Sequence, residues 1–209
     1  MFVWIRYDYS FISRAAIRIG EDILEIGSWG DYSFNGVHHA DMPLTMSGNV
    51  SVAFTPKNEK ENVFDIYVGN TKEHIKVKTF KDFVNVRIEN GSHASFEGSR
   101  GLMGAYGSGA MLARDGKTIL EDPKDFGQER QVGRGENESS LFQVPGSPVY
   151  PEQCIFPSPK TLRDNAGAAV TKQAAEKACA SWGQDGKKRC VADAVSTGDL
   201  ELAQAGDYY

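Results

Sequence analysis

The sequence predicts a mainly β protein, an antiparallel β-sandwich or strongly curled sheet, followed by a small helical tail. Over residues 1–132, apolar residues recur at every second position in short segments separated by turn residues. This alternation is typical of antiparallel strands that bury one face. The segments follow one another too closely for crossover helices to lie between them, which disfavours an α/β fold.

Composition narrows the class of partner. The 209 residues include 23 Lys and Arg against 28 Asp and Glu, which gives a net charge of −5. Without a basic excess, neither nucleic acid nor an acidic membrane is expected as the main partner. The chain is 40% hydrophobic and 24% charged, as folded globular proteins are. It has no apolar run near the roughly 20 residues of a membrane span.

Two hairpins are the clearest local predictions. The first joins residues 11–19 to residues 23–26 through Gly20-Glu-Asp22. The second spans residues 111–120, where Asp115-Gly116 suits a type I′ turn, whose two central residues both need positive φ. Further strands are predicted at residues 1–9, 50–54, 63–68, 75–80 and 84–88.

The density of Pro and Gly in residues 133–160 predicts a linker between a β domain (residues 1–132) and a helical tail (residues 161–209). In the tail, Thr171 can cap a first helix. A short second helix is predicted around residues 190–195, and Asp199 can cap a last turn. One apolar stripe of the first helix contains Ala174, Ala175, Ala178, Cys179 and Trp182.

All three cysteines follow the β domain. Cys179 and Cys190 enclose a short loop that contains residues 183–186, and we predict a disulfide between them, worth on the order of 3 kcal/mol. Ordinary buried thiols are the alternative. Zinc is disfavoured because the tail has no Cys-x-x-Cys and no nearby His. Cys154 then needs another partner or stays free.

Three Asn-x-Ser triplets could accept glycans if the protein is secreted. They lie in predicted turns or in the linker, where glycans are accommodated. The acceptor residues are Asn49, Asn90 and Asn137.

No motif predicts catalysis, a cofactor or a metal. Gly116-Lys-Thr118 lacks the first glycine of a phosphate loop, because Met occupies position 111. The glycine-rich residues 104–109 match neither a dinucleotide fingerprint nor a nucleophile elbow, so a tight loop is expected. His38 and His39 could bind a metal together with Asp41, but a solvated turn is favoured.

Four aromatic residues lie near one another in the N-terminal part of the sequence. Alternate positions on a buried face explain them, and a sugar-stacking platform is the alternative. They are Trp4, Trp29, Tyr32 and Phe34.

A series of short motifs runs through the second part of the β domain. They are Phe83-Val-Asn-Val-Arg-Ile88, Phe96-Glu-Gly-Ser-Arg-Gly101-Leu-Met-Gly104, Leu112-Ala-Arg-Asp-Gly116, Asp125-Phe-Gly-Gln128 and Val132. In this order they resemble the second half of a von Willebrand factor type D domain. Residues 15–26 are similar to the middle strands of that family.

The tail adds a second resemblance. Its pattern is similar to the segment after the D domain in some mucin-like and sushi-bearing cell-surface glycoproteins. The matching pieces are Ala178-Cys179, Cys190-Val-Ala-Asp193, Thr197-Gly-Asp199 and Leu202-Ala203. Together the resemblances imply a non-enzymatic extracellular or cell-surface module for adhesion or matrix interaction, with a protein or matrix-glycan partner.

The sequence departs from the family in three places. Nothing before Met1 corresponds to the opening strands, so we expect the start to be internal to a longer protein, with residues 2–7 as an open sheet edge prone to self-association. Met103 stands where family members often have Cys. The calcium loop has lost its oxygen ligands, with only Asp115 acidic nearby, so no calcium is expected.

Two other functions compete with the interaction module. A carbohydrate-binding β-sandwich would use Trp4, Trp29 or Tyr32, and a coplanar exposed aromatic pair would favour it. A hydrolase is the third hypothesis, and a pocket joining His38 or His39 to a carboxylate would favour it.

Overall fold

The computed structural model describes residues 1–5, 12–92, 96–101, 104–130, 141–142 and 170–204. Within these residues, ten strands form two antiparallel sheets of five strands each, and each sheet is a meander in which consecutive strands are neighbours. The first sheet contains β1 (Phe2–Ile5), β2 (Ile12–Ile19), β3 (Asp22–Gly27), β4 (Tyr32–Phe34) and β5 (Val37–His38). The second contains β6 (Leu44–Met46), β7 (Val50–Pro56), β8 (Glu61–Val68), β9 (His74–Phe80) and β10 (Phe83–Glu89). The prediction of a mainly β fold with a small helical part is confirmed.

The helical elements are short. They are the 3-10 turn η1 (Ser28–Gly30), helices α1 (Pro123–Glu129), α2 (Lys172–Ala178) and α3 (Gln184–Thr197), and the 3-10 turn η2 (Leu200–Gln204). None of the helices in the described ranges combines the length and the apolar character needed to cross a membrane.

The two sheets share one hydrophobic core. The first sheet contributes Leu24, Ile26 and Tyr32, and the second contributes Phe64 and Val77, all in one cluster of buried residues. The Tyr32 and Phe64 rings meet across the sheets with their centroids 5.5 Å apart. Period-2 alternation places these side chains on the inner face of each strand, as the sequence predicts.

The second predicted hairpin exists, but its turn type is a correction. Leu112 and Ile119 form an isolated bridge, and Gly116 N donates to Ala113 O. Gly116 has a φ of 71°, whereas Asp115 does not have positive φ, so the turn is not type I′. The Asp115 carboxylate instead accepts hydrogen bonds from the backbone N–H groups of residues 117 and 118, which stabilise a local Asx-type turn.

The tail confirms several local predictions. The Thr171 hydroxyl caps α2 by accepting from Ala174 N, and Asp199 Oδ1 accepts from Glu201 N at 2.8 Å. Cys179 and Cys190 form a disulfide with their Cα atoms 6.0 Å apart. The second tail helix is a correction: α3 spans residues 184–197, because the predicted loop residues 184–186 form its first turn.

Some predictions fall outside the described residues. Of the predicted linker, residues 133–160, only Leu141 and Phe142 are described, and neither Cys154 nor Asn137 is. The domain boundaries therefore stay predictions. Among the described strands β1 lies at a sheet edge and pairs with β2 alone, so self-association through this edge also stays a prediction.

Candidate interaction site

Three turns meet at one end of the second sheet. They are η1, the β7–β8 turn at residues 57–60 and the two-residue β9–β10 turn, Lys81-Asp82. Trp29 N donates to Lys81 O at 2.8 Å, and Lys81 N donates to Lys60 O at 2.9 Å. We call the surface formed by Trp29, Lys60, Lys81 and Asp82 the Trp29 corner.

Trp29 is the most unusual residue of this corner. Its side chain is 51% exposed, and its backbone is left-handed, with φ 60° and ψ 15°. This conformation is unfavourable for a bulky residue and persists only where the surroundings enforce it. The indole Nε1 donates to Asp82 Oδ1 at 3.0 Å. The ring is therefore accessible to solvent and fixed in orientation.

Gly30 allows Trp29 to adopt this position. It is buried with φ 75°, and a Cβ at this position would collide with the Asn62 side chain. Glycine is thus required both for the backbone conformation and for the close approach of η1 to β8.

The two lysines of the corner bind carboxylates from the tail. Lys60 Nζ lies 2.7 Å from Glu201 Oε2. Lys81 Nζ lies 2.6 Å from Asp199 Oδ2 and 2.5 Å from Glu201 Oε2. Asn58 orders the turn that carries Lys60, because its Oδ1 accepts from the backbone N–H of residues 60 and 61. These contacts join the tail to the β domain.

The ion pairs shift the titration of their members. The hydrogen bonds from Lys60 and Lys81 lower the pKa of Glu201 from 4.5 to about 2. Burial alone would lower the pKa of Lys81, but its hydrogen bonds to Asp199 and Glu201 outweigh burial and raise it. The Glu201 carboxylate has a lowered pKa because it is stabilised by the lysines in the folded protein. Its contribution to folding stability is therefore complete above pH 4.5 and is lost as the pH falls towards 2.

An open cavity of about 340 Å³ adjoins the corner. Residues 58–61 of the β7–β8 turn and Phe80 line it. Lys60 belongs both to this lining and to the contact with the tail.

The structure places His38 and His39 beside Asp31 rather than beside Asp41. His38 Nδ1 and His39 Nε2 lie 3.8 and 3.6 Å from Asp31 Oδ1, which is beyond hydrogen-bond distance. Asp31 Oδ2 is bound by Arg14 at 3.0 Å. In the part of the chain that the structure describes, no group of three His, Cys, Asp or Glu residues could hold a metal ion.

The glycine-rich residues 104–109 form the expected tight loop. Gly104 has φ 84°, and a Cβ there would lie 2.7 Å from Gly109 O. Beyond this loop, Asp115 Oδ2 also accepts from the Thr118 hydroxyl at 2.7 Å. Hydrogen bonds from Lys117 and Thr118 lower the pKa of Asp115 to about 2. Both oxygens of this carboxylate are thus engaged within its own turn.

The predicted aromatic cluster separates into different environments. Tyr32 is buried, and Phe34 packs against the core, as alternation predicts. For Trp29 the prediction of burial is wrong. Trp29 is the one aromatic residue with an exposed side chain in the part of the chain that the structure describes. No coplanar exposed pair accompanies it within those residues. The Trp4 side chain lies outside the description.

His74 has charged neighbours that its sequence context does not reveal. Its Nε2 lies 3.3 Å from both Asp65 Oδ1 and Glu89 Oε2, and its Nδ1 faces Lys72 O at 3.1 Å. Lys76 Nζ lies 2.7 Å from Glu89 Oε2. The hydrogen bond between Lys76 and Glu89 raises the pKa of the lysine and lowers that of the glutamate. Opposite charges on neighbouring strands thus stabilise this face of the second sheet.

Two of the glycan acceptors are placed as predicted. Asn49 and Asn90 are exposed in turns, with φ of 60° and 53°. The Asn90 Nδ2 donates to Lys72 O at 3.3 Å, and glycosylation of both residues stays a prediction.

Sequence patterns identify little of the Trp29 corner or of the tail residues that contact it. Asp199 is predicted only as a cap, and no pattern indicates Lys60, Lys81 or the tail residue Glu201 as a site residue. The one available signal was the flanking of Trp29 by Gly27 and Gly30, which favours a turn.

Comparison with known protein families, with curated protein sequences and with solved structures gives no match to this chain.

Proposed function

We propose that this chain is a non-enzymatic extracellular interaction module of the von Willebrand factor type D kind, which binds a protein or matrix-glycan partner through the Trp29 corner. One observation carries the proposal. The Trp29 indole is half exposed, yet it is held by hydrogen bonds at both its backbone and its side chain.

A fixed, exposed tryptophan suits partner binding for a physical reason. Tryptophan is enriched among the residues that dominate interface energetics. Ordering a free side chain on binding costs roughly 0.5–1.5 kcal/mol, and a ring already held in place avoids much of that cost. The strained backbone of Trp29 has no evident role in the core, since the side chain points to solvent.

Two features support an extracellular setting. The Cys179–Cys190 disulfide is typical of proteins that fold in an oxidising compartment. Asn49 and Asn90 present glycan acceptors on exposed turns. The resemblance of the ordered motifs to the D domain supports an adhesion or matrix role over catalysis.

Carbohydrate binding is the second candidate function. The exposed Trp29 face could stack on a sugar ring, with the exposed Asp82 beside it to accept hydrogen bonds from hydroxyl groups. A glycan ligand would then bind at the same corner as a protein ligand.

The test is saturable binding of the labelled full chain to decellularised extracellular matrix. We expect Trp29→Ala to weaken binding about 30-fold, which corresponds to the roughly 2 kcal/mol of an interface hot spot. Ile119→Ala is the matched control, because Ile119 is also apolar and 65% exposed but lies in the hairpin at residues 111–120.

Enzymatic removal of matrix glycans separates the two candidates. Binding that survives deglycosylation favours a protein partner, and binding that disappears favours a sugar. Equal affinities for the wild type and Trp29→Ala would overturn the assignment of the site to this corner.

A further inference from the structure

The lysines of the Trp29 corner are already occupied by a segment that is remote in sequence. Glu201 is 141 residues away from Lys60, and Asp199 is 118 residues away from Lys81. The two carboxylates stand two positions apart, and Glu201 Oε2 is shared by both lysines. The two lysines therefore bind two carboxylates that belong to one short segment of the tail.

The acidic segment organises its own conformation. Gly198 ends α3 with a φ of 72°, and its backbone N–H donates to Ala194 O. One oxygen of Asp199 caps η2 by accepting from Glu201 N, while its other oxygen binds Lys81. The cap therefore positions the Asp199 carboxylate locally, whereas the lysines hold the Glu201 carboxylate.

The two lysines differ in burial when the tail is bound. The Lys81 side chain is then only 17% exposed, so its charge is partly removed from water and is compensated by the tail carboxylates. Lys60 and Glu201 are 44% and 43% exposed, and their contact is more strongly screened by solvent. Lys81 is therefore the main recognition residue, and Lys60 is secondary.

We propose that Lys60 and Lys81 form a docking site for an acidic peptide segment with two carboxylates two residues apart, which Asp199-Leu-Glu201 occupies as an intramolecular ligand. A partner segment with the same Asp-x-Glu pattern competes with the tail for these lysines. This docking goes beyond the proposed role of Trp29, because it depends on the cations and not on the indole.

Calorimetric titration tests the competition on the full chain. The probe is the peptide acetyl-Thr-Gly-Asp-Leu-Glu-Leu-Ala-amide, titrated at low ionic strength. We expect the variant Asp199→Asn/Glu201→Gln to bind it at least tenfold more tightly than the wild type, whose own tail fills the site. Further substitution of Lys60→Gln and Lys81→Gln should abolish binding, and a peptide with Asn and Gln in place of the acids is the matched control.

Three outcomes would overturn the proposal. They are equal affinity for the wild type and the released variant, binding that survives loss of both lysines, and no binding to the released variant at millimolar peptide.

A second measurement needs no substitution. Carbodiimide joins amines to carboxylates that are in contact, so the wild-type chain should give a cross-link between residue 60 or 81 and residue 199 or 201. Millimolar acidic peptide should reduce this cross-link at least twofold, and the amide control peptide should not. An unchanged yield would contradict the proposed exchange.

Discussion

The disulfide of the tail provides a test of how the two tail helices are held. Cys179 and Cys190 are 11 residues apart, and a loop of that length gives a chain-entropy contribution of about 3 kcal/mol. Both cysteines are fully buried, and they join the end of α2 to α3. Because helices of this length are marginal in isolation, we expect the tail to depend strongly on this bond.

The perturbation is the double variant Cys179→Ala/Cys190→Ala. At about 1.4 kcal/mol per factor of ten, loss of 3 kcal/mol makes the open tail about 100-fold more populated. Hydrogen–deuterium exchange with mass spectrometry reports this as faster exchange of the amides at residues 172–197. Cys154→Ala is the matched control, since it removes a thiol but leaves the bond intact.

Exchange in the double variant within threefold of the wild type would refute this reasoning. Such a result would mean that packing, including the hydrogen bond from Trp182 Nε1 to Ala203 O at 3.1 Å, holds the tail without the cross-link.

Further predictions concern the core, a glycine, calcium and glycosylation. Phe64→Ala should reduce the free energy of unfolding by about 3–5 kcal/mol in urea denaturation, whereas Ile119→Ala should change it by under about 1 kcal/mol. If both variants lost under about 1 kcal/mol, that result would argue against a core shared by both sheets. Gly104→Ala should destabilise more than Gly36→Ala, because both have positive φ but only Gly104 faces a backbone oxygen; equal losses would contradict the close approach. Calcium should leave the melting temperature unchanged, since the Asp115 oxygens are engaged, and a concentration-dependent rise would disprove this. When the chain is expressed with a secretory leader, the variants Asn49→Gln and Asn90→Gln should each carry less glycosidase-sensitive mass than the wild type. The same mass in the wild type and in both variants would count against these acceptors.

Much of the secondary structure follows from the sequence. Alternating apolar residues identify β2, β3 and β7–β10 because the two-residue period of a strand is a local property. The caps at Thr171 and Asp199 are also local, since each side chain reaches a backbone N–H two or three residues away. The disulfide between Cys179 and Cys190 could be predicted for the same reason, because the two residues are close in the sequence.

Local competition explains two corrections. The dipeptide Asp115-Gly116 is compatible with more than one turn, and the hydrogen bonds accepted by the Asp115 side chain decide between them. The glycine at position 186 suggested a loop, yet it lies in the first turn of α3. A single glycine costs a helix only about 1 kcal/mol, which packing and the disulfide can offset.

The candidate site depends on contacts between segments that are far apart in the chain. The exposure of Trp29 depends on how η1 crosses the ends of β8 and β9, and no local pattern encodes that crossing. The pairing of Lys60 and Lys81 with Asp199 and Glu201 spans more than a hundred residues. Which segments become strands and helices can be predicted from local sequence, because those preferences act over a few residues. The packing of the two sheets and the tail brings the charges of distant segments together. These contacts cannot be predicted locally, because electrostatic interactions depend on distance in space and not on position in the chain.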